Sequence, residues 1–398
     1  MSASRFPLRG REKEVSPLPT SDRVILIGAS VRAAAFSALR AGLTPWCVDL
    51  FADADLCAVA DARAISFADY PRAFLDALTA APPGPVIYTG GLENHPQLIE
   101  EIAAKRSLWG NNAESLHLSR DPFHVSRILN ESGLACPRLS LACAAGSDDT
   151  ERAAQAREVL RKPFRSAGGA NISFASNETE PTFAYYLQQF IPGPSYAASY
   201  CAYPDRTLLL GVTEQLTGEP WLNAQPFHYC GSIGPIDLRA TVRDALKRLG
   251  EVLRIGCGLR GLFGIDFILH EGQPWPVEVN PRYTASIEVL ELATGLQAMT
   301  HHCSAFRVHV APSSEYSHVL QSEHGLVGKA ILFAAERITF SAKVDSSYAD
   351  IPYPGTIIEA GWPILTLFGK GSSPEQCRNE LRKRAMEYQP TSRPLTSA

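Results

Sequence analysis

Asp266, Glu278, Asn280 and Arg282 are residues whose types and spacing could hold a hard cation beside an anionic ligand. They lie within 264–282, where two alternating runs flank His270-Glu271-Gly272-Gln273-Pro274, a hairpin signal with a loop longer than the tightest kind. With the hairpin folded at Gly272, Asp266 falls opposite Glu278. Strand side chains alternate faces, so Phe267, Leu269, Val277 and Val279 share one side while Asp266, Glu278 and Asn280 share the other. Two carboxylates facing each other across a strand pair repel by up to about 1 kcal/mol, and Arg282 is the one base expected on that face. A cation reverses the sign: Mg2+ takes oxygens from one or two carboxylates and completes its shell with phosphate oxygens and water. A solvated outer face of an ordinary hairpin fits the same spacing.

A second group of candidates surrounds Lys162, which ends a strand and precedes Ser166-Ala167-Gly168-Gly169-Ala170-Asn171. One fixed positive charge beside the backbone N–H groups of a glycine-rich loop suits phosphate oxygens. The P-loop pattern is absent, and a Gly-Gly pair is also an ordinary turn. Gln188, Gln189, Phe190 and Ile191 end an apolar strand that breaks at Pro192-Gly193-Pro194. Residues 223–237, rich in Gly, Pro and aromatics, read either as a substrate loop or as an irregular connector.

The elements that position these groups follow from periodicity. Residues 24–27 form a strand, 33–39 a helix stopped by Gly42, and 44–50 a second strand, together a parallel right-handed unit. Gly28-Ala29-Ser30-Val31-Arg32-Ala33 lacks the second and third glycines of a dinucleotide fingerprint, so a structural turn is expected there, with Ser30 and Arg32 still able to meet a ligand. Glu93 and His95 sit in a loop at the carboxyl end of a strand, where open sheets bind ligands. Asp121 caps a helix that has Pro122 at its first position. Val242, Leu246, Leu249 and Leu253 step along one helix face, and Ser286 can cap a helix stopped by Gly295.

A chain of 398 residues with a net charge of −4 has room for two or three domains and no basic excess for nucleic acid. No stretch reaches the roughly 20 apolar residues that cross a bilayer. The nine cysteines are scattered without Cys-x-x-Cys, as expected of reduced thiols in a cytoplasmic protein. Residues 1–20 read as a loose polar tail and not as a signal peptide.

Together the pieces from about 110 to 295 resemble the ATP-grasp superfamily of carboxylate-amine and carboxylate-thiol ligases and carboxylases. The most specific part is Gly264-Ile265-Asp266-Phe267 followed by Glu278-Val279-Asn280-Pro281-Arg282. The resemblance implies α/β and α+β architecture: a tail over 1–20, a pre-ATP-grasp Rossmann-like parallel domain over 21–110, a two-lobed ATP-grasp domain over 111–300 and a small strand-rich domain over 301–398. It implies ATP with Mg2+ or Mn2+ as cofactors, Asp266, Glu278 and Asn280 as metal ligands, and Arg282 steadying an acyl phosphate. It further implies Lys162 on phosphate, Ser166, Gly168 and Gly169 in a mobile loop over the triphosphate, and Gln188, Gln189, Phe190 and Ile191 around adenine, held mainly by backbone groups of Gln189 and Ile191. Two positions depart from the family pattern: Pro122 follows Asp121 where a lysine is usual, and Ser195 or Tyr196 replaces the ribose-binding acid. The domain order is similar to archaeal tyramine-glutamate ligase and bacterial relatives linked to methanofuran or tetrahydromethanopterin synthesis. The implied activity joins a small carboxylate to an amine through an acyl phosphate, with a carboxylase or a non-catalytic ATP-binding regulator as alternatives, and a homodimer as an expected state.

Overall fold

The computed structural model describes residues 22–141, 158–175, 182–307, 325–341 and 347–388; the expected tail over 1–20 lies outside them. The first unit is a four-stranded parallel sheet of β1 (Arg23–Ile27), β2 (Thr44–Asp49), β3 (Asp61–Ala64) and β4 (Val86–Tyr88), in the order β3-β2-β1-β4. The run at 24–27 is continuously apolar because both faces of this sheet are covered. Val24 and Leu26 face one core, which includes the helix Arg32–Arg40, while Ile25 and Ile27 face another, which holds Phe74 and Ile99. Gly28 is structural, as expected: a Cβ there would lie 2.1 Å from the Thr89 hydroxyl oxygen.

A second, antiparallel sheet is built from β5 (Leu139–Leu141), β6 (Val159–Pro163), β7 (Ser173–Phe174) and β8 (Tyr185–Gln189), ordered β5-β8-β6-β7. The third sheet is the largest. It contains β9 (Ser195–Ala202), β10 (Thr207–Thr217), β11 (Tyr229–Gly234), β12 (Gly261–His270), β13 (Gln273–Asn280) and β14 (Leu326–Phe333). After the small pair β15 (Ile338–Thr339) and β17 (Ile357–Ile358), it is completed by β16 (Tyr348–Ala349) and β18 (Pro363–Gly371), giving the order β13-β12-β9-β10-β11-β14-β18-β16. The strands expected in a separate unit over 301–398 therefore extend the sheet that carries the central hairpin, because β14 pairs with β11. The stripe Val242, Leu246, Leu249 and Leu253 of the helix Ala240–Cys257 packs on Tyr200, Phe263 and Phe267 of this sheet. Among the described residues no helix is long and apolar enough to cross a membrane, and the eight described cysteines are free.

The hairpin β12–β13 is tighter than its sequence suggests. His270 pairs with Gln273, so the turn is only Glu271-Gly272, with φ of 49° and 74°, the doubly left-handed geometry of two-residue hairpin turns. Pro274 and Pro276 then stand inside β13. They are tolerated because β13 is the sheet's edge strand, whose outer N–H groups have no ladder to complete.

Candidate functional site

Asp266 is paired directly with Glu278, as expected, although the Glu271-Gly272 turn alone would have set it opposite Val277. A bulge follows, and Phe267 is paired with Pro276, which leaves Val277 as the extra residue of β13. This corrects the expected facing: Phe267 and Val279 enter the core, whereas Val277 joins Glu278 on the wall of a cavity of about 480 Å³. The cavity lies between the second and third sheets. Lys162, Gln188, Phe190 and Ile191 contribute from one side and Asp266, Glu278, Asn280 and Arg282 from the other.

The carboxylates are held by a defined set of donors. Asp266 Oδ1 accepts from Gln215 Nε2 at 2.9 Å and Oδ2 from Asn280 Nδ2 at 3.1 Å, while the Ser195 hydroxyl donates to Gln215 Oε1 at 2.7 Å. That chain fixes which end of each amide faces Asp266. Glu278 Oε1 pairs with Arg120 Nη1 at 2.7 Å. Lys162 donates to the Val277 carbonyl at 2.8 Å and lies 3.4 Å from Gln188 Oε1. Although the strand ends at Asn280, Arg282 stays beside the site: its Nη2 donates to Asn280 Oδ1 at 3.2 Å and its Nε to the buried Glu93 at 2.7 Å.

Burial, and then the neighbouring Glu278, push the Asp266 carboxyl up to about 7. Burial acts on Glu278 in the same direction, but Arg120 and Lys162 outweigh it and hold Glu278 below its ordinary range. One member of the pair thus carries the negative charge and the other lacks a full counter-charge. Two carboxylates and an amide carbonyl on one face are suitable donors for Mg2+, which fills its other positions with water or phosphate oxygen. Among the described residues, no cluster of three or more His, Cys, Asp and Glu side chains forms a metal site, so a cation here would rely on this mixed donor set.

The other sequence candidates divide. Gly168 and Gly169 line the cavity. A Cβ on Gly169, at φ 78°, would come within 2.0 Å of the Phe227 carbonyl oxygen, and Tyr229 N–H donates to the Gly168 carbonyl at 2.9 Å. The expected substrate loop over 223–237 is therefore half strand, β11, with Phe227 and Tyr229 on the cavity wall. Ser166 meets its partners through its backbone: its carbonyl accepts from Asn94 Nδ2 at 3.1 Å and Arg120 Nη2 at 3.0 Å. Gln189 is not among the residues that line the cavity. Strand alternation turns it away from the cavity side of β8, its N–H donates to the Arg138 carbonyl at 2.9 Å, and its side-chain oxygen accepts from Arg138 N at 3.3 Å. Glu93 reaches the site through Arg282, whereas Arg32 is buried in ion pairs with Glu288 and Asp350. The helix expected to start at Ser286 has Thr284 as its N-cap residue.

Sequence reasoning missed Arg120 and Gln215. Arg120 ends the helix Ala113–Arg120 and finds Glu278 across 158 positions of chain, so no local spacing announces the pair. Gln215 stands in a strand and is given its role by a neighbouring strand's Ser195.

Comparison with known proteins agrees with this geometry. The family model described as ATP-grasp domain matches residues 120–286. An uncharacterized protein of Methanocaldococcus jannaschii is 25% identical over 222 residues, covering 54% of this chain and 51% of that protein, so the chain spans about half the length of that curated relative. The biotin carboxylase domain of Hydrogenobacter thermophilus 2-oxoglutarate carboxylase, solved with MgADP, ADP and bicarbonate, superposes with a TM-score of 0.67 at 16% identity over 92% of this chain and 90% of that one. L-amino acid ligase from Bacillus licheniformis gives 0.67 at 16% identity over 92% and 97%. Residues 120–286, which carry the glycine-rich loop and the Asp266–Glu278 pair, are the part of the chain that matches the ATP-grasp domain.

Proposed function

We propose that this protein is an ADP-forming ligase that uses MgATP to activate a small carboxylate as an acyl phosphate and joins it to an amine. The observation that carries the reading is the cavity itself, with Asp266, Glu278 and Asn280 on one wall and Lys162 and the 168–169 glycines on the other. Phosphoryl transfer asks the protein mainly for positioning and charge neutralisation, and this lining offers both. Mg2+, which would be held by Asp266, Glu278 and Asn280, supplies charge neutralisation along the phosphates. MgADP is bound by the Hydrogenobacter domain, and that likeness supports the same ligand here.

A carboxylate oxygen of the substrate attacks the γ-phosphorus as the bond to the β-phosphate oxygen breaks and ADP leaves. The amine nitrogen then attacks the acyl carbon, phosphate departs, and the amine loses a proton. Lys162 and Arg282 offset the negative charge that develops, Gln188, Phe190 and Ile191 hold the base, and the 166–171 loop keeps water from the acyl phosphate. The Gln189 N–H is bonded to the Arg138 carbonyl, so its contact with adenine would use its carbonyl, beside the backbone of Ile191.

The test is ADP and phosphate release by the purified protein with MgATP, screened against pools of acids, amines and bicarbonate. Release that needs an acid and an amine together, with the condensed mass in the product, supports the ligase. Release with bicarbonate alone would make it a carboxylase, and ATP binding without release under any pool would make it a regulator. Sedimentation of the same sample tests a homodimer.

A further inference from the structure

Arg120 touches two parts of the cavity that the chain keeps far apart. Its Nη1 pairs with Glu278 Oε1 at 2.7 Å, and its Nη2 donates to the Ser166 carbonyl at 3.0 Å. The Ser166 carbonyl accepts a second bond, at 3.1 Å, from Asn94 of the N-terminal unit. The residue before it, Glu93, pairs with Arg282 at 2.7 Å. On the far side the loop is seated by the Tyr229 N–H on the Gly168 carbonyl and by the close approach of Gly169 to Phe227. The Arg120 side chain is only 13% exposed, so these contacts are made largely out of water, where a charge-assisted hydrogen bond is strong and its loss is felt.

We propose that Arg120 and Asn94 are positioning residues that couple the seating of the 166–171 loop to the state of Glu278. The guanidinium is a rigid planar fork. With Nη1 fixed on Glu278, its plane is set, and Nη2 is aimed at the Ser166 carbonyl. Asn94 completes the grip from the N-terminal unit, so the loop is held only when three separate elements are in register. Removing the Glu278 carboxylate takes away the anchor of Nη1 and so frees the fork. What the loop closes over rests on the ligase reading.

The experiment is hydrogen–deuterium exchange on the full chain, first without nucleotide, comparing the wild type with Asn94→Ala, Arg120→Lys and Glu278→Gln. The reporters are the loop amides of Ala170 and Ile172 and the Tyr229 amide, whose acceptor is the loop carbonyl of Gly168. Each variant is expected to speed exchange at these amides by about fivefold, the order of one lost hydrogen bond, while the helix Ala240–Cys257 keeps its rates. Glu278→Gln is decisive because residue 278 is linked to the Ser166 carbonyl through Arg120. Unchanged loop exchange in that variant overturns the coupling, and so does acceleration that spreads equally to the helix. Calorimetry of the wild type with MgADP separates the two claims: an absence of binding removes the nucleotide reading and leaves the nucleotide-free comparison standing.

Discussion

Asp266 shows how a single residue can be costly to ionise and good for a site. Its carboxylate is buried beside Glu278 and pushed up to about 7, so the ionised form is disfavoured until a cation arrives. Asp266→Asn should cost about 1–2 kcal/mol of stability, since its amide N–H2 must face the Gln215 or the Asn280 donor, and lower MgATP-dependent turnover by about a hundredfold or more. Calorimetry and an ADP-release assay on the same sample check both halves. A stable variant that turns over like the wild type would exclude Asp266 from the metal site. Gln215 acts through Asp266: Gln215→Leu should raise the Mg2+ concentration needed for half-maximal rate by about 10–100-fold, the range for groups that orient metal ligands. An unmoved Mg2+ titration would reduce Gln215 to packing.

At the scale of elements, the hairpin and the glycine loop explain what could be read in advance. Alternation around Gly272 set Asp266 against Glu278, and the pair holds because the bulge at Val277 offsets a turn centred between Glu271 and Gly272. It missed the bulge at Val277, because the extra residue shows only once the two strands are paired. Arg120 was invisible for a different reason, as its partner is set by the packing of a helix on a distant strand. The glycine loop was legible as a loop, but the need for Gly169 became clear only from its neighbour. Gly169→Ala meets the Phe227 carbonyl and a left-handed backbone. It should lower kcat/KM by about tenfold or more through a mis-seated loop, with the melting temperature of the domain little changed. Wild-type kinetics in that variant would mean that the loop does not seat this way in solution.

Across the whole molecule, the N-terminal unit is fastened to the rest by buried charge. Arg32 makes two bonds to Glu288, at 2.6 and 2.8 Å, and two to Asp350, at 2.9 and 3.4 Å, while Lys329 reaches Glu288 at 2.7 Å. Arg32→Met leaves the buried Glu288 with Lys329 and takes the guanidinium from the part-buried Asp350; it should destabilise the protein by about 3 kcal/mol, measured by denaturant unfolding, and a loss of less than about 1 kcal/mol, the level of surface pairs, would contradict it. Asp53, nearby, titrates in the opposite sense to a paired acid. Burial, and then Asp350, push it up to about 8, so between an unfolded value of about 4 and that folded value the native state holds a proton that the unfolded chain has lost. Stability attributable to Asp53 is therefore full below the window and declines as pH rises through it. Asp53→Asn should flatten that decline and raise the melting temperature at pH 8 relative to wild type. Parallel melting curves from pH 4 to 8 would show that Asp53 is not the source.

The central claim is that a substrate carboxylate is phosphorylated in the cavity between Lys162 and the Asp266–Glu278 pair. The most direct measurement uses the acid identified in the ADP-release screen, labelled with 18O in its carboxylate, and follows the label by mass spectrometry. An acyl phosphate predicts one 18O atom in the released phosphate for each bond formed, and loss of that product in Glu278→Gln. Label retained wholly in the acid and the amide, or delivered to AMP, would contradict the account.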